Sequence, residues 1–310
     1  MSGCTASGNY AVAEGGATTA SGNISHAEGG GTKAVGGGSH AEGQGTTASG
    51  FCSHAEGGGT TASGTCSHAE GGSTTASGSD SHAEGYQTIA SGNYSHSEGL
   101  STIASGDTAH AEGNSSRAYG ANSHAEGWNT IASGSTSHAE GNGTTASGAN
   151  SHAEGGGTLA SGDTSHAEGG GTKALNIAEH ASGMYNISLS SSSTFGYSGN
   201  TLFTVGNGNG ASTTHNAFEI RQNGDIYIAD TSGNETYYQK PMIKLQDALK
   251  NSGGDVDLQE LINRISELET KVATLITKVE VEKGFNNVIT VVDSNKLKIR
   301  NNALEDESAE

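Results

Sequence analysis

The chain has one proline, one tryptophan and three cysteines in 310 residues, and only 15% of it is charged. A single proline, with no glycine at every third position, excludes a collagen. Leu, Ile, Val and Phe together number 43, too few for an enzyme domain built on a large aliphatic core. Below about a fifth of the chain, with high net charge, such a composition ordinarily marks disorder. Fourteen basic residues stand against 33 acidic ones. The net charge of −19 argues against nucleic acid as a partner, since phosphate binding needs clustered Lys and Arg. No run reaches the ~18 apolar residues that cross a membrane, so no membrane insertion is expected. The opening Met-Ser-Gly-Cys lacks the basic, apolar pattern of a secretory leader.

What the chain has instead is glycine, 50 residues of it, in a fixed register. From about residue 5 to residue 181 it repeats S-H-A-E-G-x-x-T-x-A-S-G-x-x with a period of 14. His26, His40, His54, His68, His82, His96, His110, His124, His138, His152, His166 and His180 form one column without a gap. Glu14, Glu28, Glu42, Glu56, Glu70, Glu84, Glu98, Glu112, Glu126, Glu140, Glu154 and Glu168 form a second. Ala6, Ala20, Ala34, Ala48 and their successors to Ala174 form a third.

Each unit divides into two halves of seven, expected to be a five-residue strand ending in Gly followed by a two-residue turn, with Gly supplying positive φ. Strand alternation sends Ser, Ala and Gly to one face and His and Glu to the other. A coil of two short strands encloses only small side chains, which the alanine columns supply. The expected fold is mainly β, a parallel β-solenoid of flattened coils rising ~4.8 Å per rung. Cys4, Cys52 and Cys66 form neither a disulfide framework nor a metal cluster; Cys52 and Cys66 are expected as free side chains on neighbouring rungs. Residues 1–174 hold only nine Leu, Ile, Val or Phe, so a lone solenoid is expected to be marginal and to share its surface with other copies.

Beyond the solenoid, assigned to 1–181, a transition domain is expected over 182–239. Its alternating runs Thr201–Val205, Ala217–Ile220 and Asp225–Ile228 form a β-meander, with Asn223-Gly224 as a hairpin turn. Pro241 is expected to open a short helix within 240–254, closed by Gly253-Gly254. Over 255–284, Leu258, Leu261, Ile265, Leu268, Val272, Leu275 and Val279 alternate spacings of three and four, the seam of a coiled coil. β-branched a positions with Leu at d lean towards two strands. Arg264 and Glu269, in Arg264-Ile-Ser-Glu-Leu-Glu269, are similar to a known trimerisation signature and favour three. A terminal hairpin is expected in 285–302 from Val288–Val292 and Lys296–Ile299, and a disordered acidic tail over 303–310.

The repeat resembles the head repeats of YadA-like (Hep/Hag) trimeric adhesins, whose unit S-x-A-x-G-x-x-A-x-A-x-G-x-x has the same length and register. That resemblance covers more than half the chain and implies a left-handed parallel β-roll assembled as a homotrimer. Phe203–Gly208, with Asn216–Ile220 and Gly224–Ile228, also resembles a module of phage tail-fibre and appendage proteins. No barrel-forming C-terminal strands or leader are evident, so the expectation is a phage tail fibre or appendage in the virion, spacing or presenting contacts to a host receptor. The alternative is a head fragment of a bacterial surface adhesin. Where the family has Val and Ile facing neighbouring subunits, this chain has His and Glu. The resemblance therefore implies that His26 to His166 and Glu28 to Glu168 meet in the trimer interface. A polar zipper is expected, with His and Glu of adjacent chains or rungs hydrogen-bonded and titration coupled to assembly.

Other readings of the same residues are weaker. His and Glu are metal-ligand types, but a pair on every rung is a structural repeat, whereas metal sites are usually local. Adjacent Ser-His pairs such as Ser25-His26 point to opposite faces and make no catalytic dyad, so no enzyme activity and no cofactor is expected. Thr32, Thr46, Thr60, Thr74 and Thr88, with Thr19, Thr47, Thr61 and Thr75, suggest an ice-binding array, though Lys33, Ile89, Arg117 and others interrupt it. Tyr86, Leu100 and Trp128 share one turn column, with Tyr94 and Tyr119 nearby in sequence, and form a candidate receptor contact for sugar rings. Isolated exposed aromatics without function are the blander account of that column.

Overall fold

The computed structural model describes residues 3–190, 193–229, 241–251, 266–267, 270–271, 289–293 and 296–299. The chain divides into two compact units, Met1–Leu245 and Gln246–Glu310. In the first, residues 5–184 wind into about thirteen stacked coils, each contributing one strand to each of two parallel sheets. One sheet runs from Thr5–Ala6 to Lys173–Ala174; the other, the histidine sheet, runs from Val12–Gly16 to His180–Met184. Register is strict: His68 lies opposite His54 and His82, and Ala76 opposite Ala62 and Ala90. Strand N–H groups bond to the following rung, as in Thr47 N to Thr60 O at 2.9 Å.

The interior is made of small side chains. Every buried hydrophobic residue in the described part is alanine. Ser25 and its column join them, with Ser25 Oγ donating to Gly22 O at 2.7 Å across the corner and Ser39, Ser53 and Ser67 repeating the bond. Exceptions to the consensus keep the volume small and the polar atoms satisfied. Ser97 in the alanine column meets Thr102 Oγ1 at 2.8 Å, and Ser116 in a threonine column donates to Gly127 O at 3.1 Å.

Three expectations need correction. Strands are shorter than five residues throughout one sheet, where each coil pairs only two, such as Thr61–Ala62, and in part of the histidine sheet, from His54–Ala55 to His110–Ala111 and at His166–Ala167. Thr32, Thr46, Thr60, Thr74 and Thr88 do not lie on a solvated face; they are fully buried, because the first residue of the half-repeat points inward. Thr46 and Thr60 donate to the carbonyls of Glu42 and Glu56, each at 3.1 Å. Only the single column containing Thr19, Thr47, Thr61 and Thr75 faces outward, half-buried, so the two-column threonine array does not exist.

The third correction concerns glycine. At each corner the second turn residue carries the left-handed conformation, and it is often not glycine: Ile24, Cys52, Asp80 and Thr136 have φ between 53° and 59°. That conformation costs such residues about 1–2 kcal/mol. A bond in the opposite direction holds it in place, as in Cys52 N to Gly37 O at 2.8 Å. The glycine column of Gly22, Gly36 and Gly92 has a different cause. A Cβ on Gly92 would stand 1.9 Å from Gly106 O, so backbone packs directly on backbone from rung to rung.

The roll ends in a polar seal. Asn186 accepts from Lys173 N at 2.7 Å and donates to Lys173 O at 2.9 Å, so its amide stands in for the missing next strand. Asn216 does the same for Ile187, at 2.7 and 2.8 Å. Glu179 replaces the column serine and Asn176 the column glycine. The Glu179 carboxylate is 1% exposed and accepts from Leu175 N, Asn176 N, Ser188 Oγ and Thr201 Oγ1 at 2.6–2.9 Å. Burial pushes its pKa above the usual range despite these donors.

The meander is continuous with the histidine sheet. Thr201–Asn207 pairs parallel to His180–Met184, then antiparallel to Asn216–Arg221, which pairs with Ile226–Ala229. Asn223-Gly224 forms the expected turn, with Gly224 at φ 87° and Arg221 N bonded to Asp225 O at 2.9 Å. Pro241 precedes a strand rather than a helix: Met242–Lys244 pairs with Ile226–Ala229, and Lys244 Nζ meets Asp225 Oδ1 at 2.7 Å. The helix is confined to Leu245–Asn251. In the second unit, Ile289–Asp293 and Lys296–Ile299 form the expected antiparallel hairpin. The coiled-coil positions Leu258, Leu261, Arg264, Ile265, Leu268, Glu269, Val272, Leu275 and Val279 lie outside the described residues.

Candidate functional site

Because Ser25 and Ala27 fill the interior, His26 and Glu28 project from the same strand to the outer face, and the 14-residue period repeats them on every rung. The imidazoles stack from His26 to His166 with centroids 4.8–4.9 Å apart and planes within 7° of parallel. The ladder ends on aromatic rings: His180 tilts by 37° and lies 5.2 Å from Phe203, which contacts Phe218 edge-on.

From His40 to His180, each histidine is paired with the glutamate of the preceding rung of the same chain. His40 Nε2 lies 3.5 Å from Glu28 Oε1, His54 3.3 Å from Glu42, and His68 3.8 Å from Glu56. These contacts are longer than the 2.7–2.9 Å of a charge-assisted hydrogen bond. The Nε2 atoms from His26 to His166 have no hydrogen-bond partner although they are shielded from solvent. Only His180 and Glu168, at 3.4 Å, meet hydrogen-bond geometry. Between adjacent rungs of one chain, His and Glu therefore stand as close neighbours, and the expected hydrogen bond forms only at His180–Glu168. Burial, and then the adjacent imidazoles, hold His68, His96, His138 and His166 below the ordinary histidine value, against the opposing pull of the glutamates.

Beside the ladder runs an open groove of about 700 Å³. Its walls carry Glu112, Glu126, Glu140, Glu154 and Glu168, and its floor is the column Gly113 to Gly183. Floor glycines are obligatory: Gly127 has φ 108°, and a Cβ there would lie 2.2 Å from Gly141 O.

Tyr86, Leu100 and Trp128 do share one corner column, bridged in register through Asn114. They are 53%, 42% and 55% exposed. Met184, exposed in the same column, escaped notice because it lies just past the repeat. Tyr94 occupies the opposite corner of the coil with Cys52 and Cys66, and Tyr119 directly follows the strand Arg117–Ala118 of the other sheet; neither joins the column. All three cysteines are free. Ser25 is buried and bonded to Gly22 while His26 faces outward, so the adjacent pair makes no dyad. No protein-family model matches this chain, and no curated protein does either.

Proposed function

We propose that this chain is a non-enzymatic structural and adhesive fibre protein. In this reading it is a homotrimeric shaft of a phage tail or related appendage, located in the virion, that spaces or presents contacts to a host surface. Its partners are two further copies of itself, other appendage proteins, and a glycan or protein receptor. The coils wind left-handed, and the coiled coil of 255–284 aligns the three chains.

One observation carries this proposal: the interior of the solenoid contains no hydrophobic side chain larger than alanine. Each buried methyl is worth about 0.8 kcal/mol, while ordering each residue's backbone costs about 1–2 kcal/mol. Rung-to-rung hydrogen bonds supply part of the difference, and burial of an outer face against sister chains supplies more. The outer faces suit that role because they are regular, with the same side chain presented every 4.8 Å. This repeat varies in the outward strand column of Thr19, Lys33 and Ile89 and at its corners, where Tyr86, Leu100 and Trp128 sit.

The test is sedimentation or native mass measurement on the full chain. A species of three chains is expected; a well-folded single copy refutes the proposal. On a glycan array, binding by the trimer is expected to fall at least tenfold in Trp128→Ala, and unchanged binding removes the aromatic column from the contact.

A further inference from the structure

Periodicity argues against a local metal site, but it does not argue against an array. Two ligands on one tetrahedral zinc, with Zn–N of 2.0–2.1 Å and Zn–O of 2.0–2.2 Å, stand about 3.4 Å apart. The His Nε2 to Glu Oε1 separations along the ladder run from 3.3 to 3.8 Å. They are too long for a good hydrogen bond and match the span of a shared cation. A third donor is at hand: in His26, Glu28 and His40 the three ligand atoms lie within 4.8 Å of one another, and similar triplets recur up the roll, as His96, Glu98 and His110 or as Glu56, His68 and Glu70. A ring tilt such as His180 already shows brings the third nitrogen closer without moving the backbone. From His26 to His166 the Nε2 atoms have no hydrogen-bond partner to give up.

From this geometry we infer that the outer face of the histidine sheet is a linear binding array for first-row divalent metal ions of the zinc class, each held by two imidazoles and a carboxylate from adjacent rungs. Imidazole and carboxylate together suit zinc, nickel and copper rather than calcium or magnesium. The ion's charge offsets repulsion between carboxylates stacked one per rung. Sites that share no ligand recur every second rung, so the twelve imidazoles from His26 to His180 hold about six ions per chain. The array is complete within one chain and does not depend on the proposed trimer.

The experiment uses the untagged full-length chain with its three cysteines alkylated, so that thiols do not contribute. After equilibration with Zn²⁺ and removal of excess, metal content is read by mass spectrometry. About six zinc ions per chain are expected at pH 7.5. The triple variant His68→Gln, His96→Gln, His124→Gln breaks three of the pairs and is expected to retain about three. Uptake below one ion per chain, or uptake unchanged in a folded triple variant, overturns the inference. Should that variant fail to fold, Co²⁺ titration of the unsubstituted chain decides. Intense tetrahedral d–d absorption supports the array, and the weak spectrum of six-coordinate aqueous cobalt refutes it.

Discussion

Gly92→Ala is the sharpest perturbation of this fold. The backbone at Gly92 does not have positive φ, so alanine meets no conformational penalty there. Its Cβ would nevertheless stand 1.9 Å from Gly106 O and 2.5 Å from Gly106 C. Both are backbone atoms, so no rotamer change relieves the clash. The rungs must separate by more than 1 Å at that corner to restore ordinary contact. That motion breaks Ser91 N to Ala104 O at 2.8 Å and Gly92 N to Ala104 O at 3.3 Å. Two bonds at about 1 kcal/mol each, with about 1–3 kcal/mol of overpacking strain, give a cost of roughly 3–5 kcal/mol. Gly58→Ala is the matched control. Its added Cβ meets nothing within 4 Å, and its φ is not positive. It is expected to be neutral or stabilising by about 0.4–1 kcal/mol through the unfolded chain. Urea unfolding followed by circular dichroism compares the two, and limited proteolysis locates the opening near residues 78–106 in Gly92→Ala. Equal midpoints for both variants would refute the claim that direct backbone stacking dictates this column.

Other consequences are open to measurement. Asn186→Ala removes the amide that pairs with Lys173 and reaches Thr204 Oγ1 at 2.8 Å. A loss of about 2–3 kcal/mol is expected, with faster amide exchange at Lys173 as the local readout. The ladder's pH response follows from the sign of its shifts. His68, His96, His138 and His166 sit below their ordinary value in the folded chain, so the unfolded chain binds more protons. Their contribution is fully present above about pH 6.5 and is lost as pH falls below it. A melting temperature that stays level from pH 8 to pH 5 would contradict this. Glu179 acts in the opposite direction: its raised value makes the seal strongest below the ordinary carboxylate range and weaker as pH rises through the folded value. Glu179→Gln is therefore expected to remove that slope while its N–H₂ replaces the oxygen that accepts from Thr201 Oγ1, visible in paired melts of the two proteins.

The coils were legible in the sequence because a period of 14 without insertion leaves the chain no other economical path. The alanine interior and the outward His and Glu followed from alternation alone. The threonines obey the same alternation. Thr32 lies two residues before Ala34 and shares its inward face, so adjacent threonine columns such as those of Thr46 and Thr47 cannot both face outward. Glycine was also misread, since the repeat shows where it is required but not whether conformation or close approach requires it. The seal at Asn176, Glu179 and Asn186 left a faint signal: polar residues larger than serine replace Gly162 and Ser165 one unit on. Proline at 241 misled because a residue without an N–H suits the start of an edge strand as well as the first turn of a helix.

The seal closes only the final coil, and the coils between the first and the last repeat the same rung-to-rung bonds above and below. Gaining or losing one genetic unit of fourteen codons would thus change reach by a single fixed increment of ~4.8 Å, leaving both ends untouched. The roll is in effect a ruler whose length is set by copy number.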